Sequence, residues 1–77
     1  MAGLKTMSER ERQLFDILKR AIEREREAQA MYLEAMNLCD DPVLGAVLEG
    51  FYRDEQRHER EALARYHQFR SDYVTEP

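Results

Sequence analysis

The chain has 77 residues, 36% of them charged, with a formal charge of −4, three glycines and two prolines. This is one small domain, and so few turn-forming residues favour long, charge-laced helices over a sheet. The acidic balance argues against a nucleic-acid or anionic-membrane partner, since both select basic surfaces; the single Cys39 excludes an internal disulfide framework and a self-contained CxxC metal site.

Met1 to Met7 carries no periodicity and reads as a loose terminus. Ser8-Glu9-Arg10-Glu11 fits a capping box, in which the serine hydroxyl accepts from the third helical amide while the glutamate reaches back. The first helix is expected from about residue 8 to 38, with Leu14, Leu18, Ala21, Ala28, Tyr32, Ala35 and Cys39 recurring at spacings of four and three. One position in that series is wrong for a core: Glu25. Surface pairs such as Asp16 with Arg20 lace the outer face of this helix.

Asp40-Asp41-Pro42 is the strong break, with Asp41 suited to an N-cap and Pro42 to the first helical turn. A connection this short between long helices predicts an antiparallel hairpin, so the fold class is all-α. The second helix is expected over about residues 42–70, its stripe running Leu44, Leu48, Phe51, Glu55, His58, Ala62 and Phe69. Gly45 and Gly50 each cost roughly 1 kcal/mol against alanine without suggesting another structure. Residues 74–77 read as frayed. Neither a leader segment nor an apolar run of about eighteen residues is evident, which leads to the expectation of a soluble, cytoplasmic protein.

Glu25 lies fifteen residues before Asp40, and Glu55 and His58 lie fifteen and eighteen after it. In an antiparallel hairpin all three meet at one height, and Glu55 and His58 share a helix face. A buried, unpaired carboxylate costs several kcal/mol, so the group must be paired, exposed or metal-bound. One hairpin offers two carboxylates and an imidazole. A two-fold homodimer doubles that, matching a di-iron four-helix bundle in which two helices each give a Glu and two give Glu-x-x-His. Oxygen and nitrogen donors without thiolate suit iron, or manganese, better than a soft metal.

The segment from Ala21 to Tyr32, with Ala28 and Tyr32 three and seven residues after Glu25, resembles the first helix of rubrerythrin-type ferritin-like proteins. Asp54-Glu55-Gln56-Arg57-His58 is similar to the second-helix motif of the same family. The resemblance covers residues 14–70. It implies that Glu25, Glu55 and His58 are iron ligands, Glu55 bridging and His58 a terminal nitrogen ligand, with Tyr32 a hydrogen-bond donor beside the site. The chain carries only two of that family's usual four helices and lacks the cysteine pairs of a rubredoxin module. In size it is closer to the encapsulated ferritins, whose half-length chains build the iron site across a dimer interface. Glu27 falls where that group has an acidic residue on the iron access path, whereas Arg24 replaces the other one. No apolar–basic shell-docking tail is evident in residues 71–77.

The expected function is a ferroxidase-like protein that binds Fe(II) and oxidises it to Fe(III) with dioxygen or peroxide, for storage or detoxification. Glu25, Glu55, His58 and Tyr32 would be its catalytic residues. The implied partners are a second copy of the chain, a ring of such dimers, and an encapsulin-type shell. Two other readings compete. One is a metal-free helical interaction module with Glu25 and His58 as a polar layer; the other is rubrerythrin-like peroxide scavenging with an external electron donor. His67 falls off the stripe as a solvated histidine, and Cys39, Met31 and Met36 read as packing residues.

Overall fold

The computed structural model describes residues 5–74. Helix α1 spans Glu9–Leu38 and begins at the predicted cap. The Ser8 hydroxyl accepts from the Glu11 amide at 3.1 Å, and the Glu11 carboxylate accepts from the Ser8 amide at 2.9 Å. This reciprocal pair satisfies two amides that have no partner inside the helix. At the other end Cys39 turns extended, with its amide donating to Met36 O.

Helix α2 spans Pro42–Asp72, with Asp41 as N-cap accepting from the Val43 amide at 3.0 Å. Pro42 fills the first turn, where a missing amide costs nothing. Only Cys39, Asp40 and Asp41 connect the helices, so α2 must double back along α1. The result is a rod of 55 × 19 × 19 Å. Its radius of gyration, 17.0 Å, exceeds the roughly 11–12 Å of a compact chain this long, so the core is a line and not a sphere.

The open end of the hairpin carries a feature absent from the expectations. Strand β1, Lys5–Thr6, pairs in parallel with β2, Tyr73–Val74. Met7 is buried, and the Tyr73 hydroxyl donates to the second carboxylate oxygen of Glu11 at 2.5 Å. Beneath this clasp, Phe15 stacks on Tyr66 and Phe69 with centroids 4.9 and 5.5 Å apart, and Phe69 meets Tyr73 at 4.8 Å. The expected loose start is not what the described part of it shows: Lys5 and Thr6 are tied down by pairing and Met7 by burial. The expectations for residues 1–4 and 75–77, including the shell-docking segment beyond Val74, lie outside the described residues.

Which residues face inward also differs in part from the periodicity reading. On α1 the expected Leu18, Glu25, Ala28, Tyr32, Ala35 and Cys39 do turn inward, joined by Phe15, Ile22, Gln29 and Met36, whereas Leu14 and Ala21 are exposed. On α2 the expected Leu48, Glu55, Ala62 and Phe69 turn inward, joined by Tyr52, Glu59 and Tyr66, whereas Leu44, Phe51 and His58 are exposed. Two helices touch along a narrow line, so an apolar arc wider than that line has one edge buried and the other open. The open edges lie on one side of the rod: Leu14, Ile17 and Ala21 from α1 line a groove with Arg65, Gln68 and Phe69 from α2. Asp16 pairs with Lys19 at 3.8 Å instead of Arg20, and the Lys19 ammonium sits 5.4 Å from the Phe15 ring centre, on the opposite edge of the seam.

Candidate metal centre

Glu25 from α1 and Glu55 and His58 from α2 converge as their heights require. His58 Nδ1 is 3.2 Å from Glu25 Oε2 and 3.1 Å from Glu55 Oε1. One ligand atom from each of the three lies within 4.8 Å of the others. The two glutamates are half-buried, with side chains 23% and 21% exposed, and His58 is 46% exposed, so the cluster opens outward through the imidazole.

The protonation pattern follows from this crowding. Glu25 is pushed above its ordinary value, first because it shares a hydrogen bond with the Glu55 carboxyl, then by partial burial and the charge of Glu55; His58 opposes the shift. Glu55 is held below its ordinary value by the hydrogen bonds from Glu25 and His58. His58 is raised, first by its bond to Glu55 and then by the two carboxylate charges, against partial desolvation and Arg57. Of the two carboxyls, the cluster thus favours protonation at Glu25 and ionisation at Glu55.

Such a donor set fits a hard or borderline divalent cation. Two carboxylates and an imidazole would replace the shared proton and the His58 Nδ1 proton with one ion. Three donors fall short of the coordination number that iron or manganese takes. The nitrogen turned toward the carboxylates is Nδ1, so it is the one placed to ligate.

Tyr32 is not brought to the cluster within this chain. Seven residues after Glu25 it stands about 10 Å along the helix, half-buried with its ring 5.6 Å from that of Phe51. Its hydroxyl makes no hydrogen bond among the described residues. Glu27 and Arg24 are exposed, and Arg24 shares a shallow surface with Ile17, Arg20 and Ala21. His67 is exposed, as expected. Cys39 is half-buried at the helix end, its thiol donating to the Asp41 carbonyl at 3.3 Å. Met36 packs in the seam but Met31 is 54% exposed.

One participant was missed in the sequence reading. Glu59 takes a hydrogen bond from Arg26 Nε at 2.7 Å and another from Gln29 Nε2 at 2.6 Å, both across the seam. These donors, Arg26 first, hold its carboxyl below the ordinary value. Among eleven glutamates nothing in composition marks it. The available signal was positional: Arg26 follows Glu25, and Glu59 follows His58.

Comparison of the chain with protein-family models, curated proteins and solved structures finds no match. Among the described residues, no helix is long and apolar enough to cross a membrane.

Proposed function

We propose that two copies of this hairpin associate through the open apolar face into a ferritin-like four-helix bundle that holds a di-iron centre and oxidises Fe(II). The observation that carries this reading is the convergence of Glu25, Glu55 and His58 within 4.8 Å on the side of the rod where the apolar stripe is exposed. A two-fold axis near the cluster would bring together four glutamates and two histidines, the ligand inventory of di-iron carboxylate bundles.

Bound as a pair, iron supplies the redox couple that passes electrons to dioxygen or peroxide. The chain's own residues supply the rest. Glu55, whose ionised form the cluster favours, would be a ready donor to the cation, while any proton held by Glu25 or His58 would be displaced on binding. Carboxylates favour the more highly charged ferric product. Tyr32 serves as a hydrogen-bond donor toward the site in the assembled bundle. Leu14, Ile17 and Phe51, each about half exposed in one hairpin, would shield the centre from water once covered. Manganese fits the same donors, and a ring of dimers or a protein shell is the larger assembly this reading allows.

The test is oxygen uptake on addition of Fe(II). Glu55→Ala and His58→Ala should each abolish iron-dependent uptake while leaving helix content intact; full activity in both variants overturns the assignment. Tyr32→Phe should slow the oxidation and leave the metal stoichiometry unchanged.

A second reading draws on the fact that every buried side-chain polar atom among the described residues has a partner. The cluster is then a self-satisfied polar layer of a metal-free interaction module. Elemental analysis of freshly purified protein separates the two: about one metal per chain supports the di-iron centre, whereas none, with normal folding and self-association, supports the module.

A further inference from the structure

A second polar contact crosses the seam directly beside the cluster. Arg26 follows Glu25 on α1 and Glu59 follows His58 on α2, and these two successive pairs both bridge the helices. The other ion pairs among the described residues stay within one helix. Neighbouring helical residues point about 100° apart, so the two bridges sit on opposite edges of the seam. His58 and Glu25 open toward the side lined by Ile17, Ala21 and Arg65, whereas Arg26 lies on the side lined by Lys19, Leu63 and Tyr66.

Both oxygens of Glu59 are engaged, by donors one helical turn apart, at 2.7 and 2.6 Å. Its side chain is 20% exposed against 59% for Arg26, so the carboxylate is the anchored partner. Sliding α2 by one residue moves Glu59 by about 1.5 Å toward one donor and away from the other, so both bonds cannot keep their present lengths. Rotating α2 to withdraw His58 from Glu25 turns Glu59 inward across the seam and displaces it from the positions of Arg26 and Gln29. The pair of grips therefore restricts both motions that would scatter the three ligands.

We infer that Glu59, gripped by Arg26 and Gln29, is a positioning residue that sets the helix register and rotation at which Glu25, Glu55 and His58 converge on a divalent cation. This rests on the metal-centre reading and extends it to a residue that touches no metal. The exposed charge of Arg26 adds little stability by itself. Its effect is geometric, and it falls on the site.

Co(II) titration of the full chain tests this, followed by its visible ligand-field bands. Glu59→Gln keeps the side-chain volume and removes the charge. It should weaken Co(II) binding by about tenfold or more, as loss of a ligand-orienting partner does, and shift the bands, with far-UV circular dichroism unchanged. Exchanging the pair, Arg26→Glu with Glu59→Arg, should restore most of the affinity, because the Gln29 amide can turn its oxygen toward the new guanidinium. If Glu59→Gln fails to fold, Gln29→Ala removes one grip and carries the same expectation. A metal-free readout runs beside these: at fixed pH, the His58 Nδ1 nitrogen resonance should move in Glu59→Gln toward that of the exposed His67. Wild-type Co(II) affinity together with wild-type His58 resonances in Glu59→Gln overturns the inference. If the unmodified chain binds no Co(II), the metal-centre reading fails, and the His58 resonance alone decides the positioning role.

Discussion

Protons and cations compete for the same three side chains, and the competition fixes the pH response. The folded hairpin raises His58 and depresses Glu55. For His58 the resulting stabilisation is fully present below the unfolded value and is lost as pH rises through the higher folded value. For Glu55 it is present above the unfolded value and is lost as pH falls through the lower folded one. The contributions of His58 and Glu55 therefore overlap between the ordinary carboxylate and imidazole values of 4.5 and 6.5, while that of the raised Glu25 fades as pH climbs above 4.5. Metal binding has the opposite slope in the upper part of that range, because the cation must displace the His58 proton. The expected outcome is that Mn(II) affinity, measured by calorimetry, climbs as pH rises through and beyond 6.5, while proton release per ion bound falls. His58→Ala should flatten that climb. An affinity independent of pH from 5 to 8 would place the ion elsewhere on the chain.

At the scale of the helices, stability rests on one line of contact, and Ile22 is its most buried position at 5% exposure. Ile22→Ala should cost about 2–3 kcal/mol in urea unfolding. Leu14→Ala, at a position 55% exposed, should cost far less in a dilute sample where single hairpins prevail. The contrast between these two leucine-type positions also shows how far the sequence could be read. Ser8 with Glu11 and Asp41 with Pro42 were legible because capping is local chemistry, decided within four residues. Glu25, Glu55 and His58 were legible because a short turn converts sequence distance into height. The inward face of each helix was legible only in part. Leu14 and Ala21 keep the same four–three rhythm as Phe15 and Ile22, and rhythm alone cannot rank two adjacent edges of one arc. Glu59 was hidden for a related reason, since a carboxylate that bridges helices looks like any other until its partner's position is known. The clasp of Lys5–Thr6 on Tyr73–Val74 was hidden too, since pairing between opposite ends of a chain leaves no local signature.

For the whole molecule, the question is what the open stripe does. Among the described residues nine large hydrophobic side chains are exposed by 43–78%, Leu14 and Ile17 in the open groove among them. A chain this thin gains by covering them, but two clusters brought together without metal place four carboxylates in one interface. A cation that binds the pair and not the single hairpin must shift the equilibrium toward the pair by mass action. Sedimentation of metal-free protein should therefore show a smaller species than the same sample with Fe(II), Mn(II) or Zn(II). Phe51→Asp should abolish that shift with helix content retained. No metal-dependent change at any concentration counts against a site shared between copies.

The parallel pairing of Lys5–Thr6 with Tyr73–Val74 places the two ends of the described chain side by side, at the pole opposite the turn. The connectivity at Asp40 is then one of two ways to close the same rod. A circular permutant that joins the ends through a short glycine–serine linker and opens the chain at Asp40 should keep the helices, the seam and the three converging side chains. Far-UV circular dichroism and Mn(II) calorimetry on the permutant check this. If it folds and binds as the natural order does, the order of the helices along the chain is incidental to the centre.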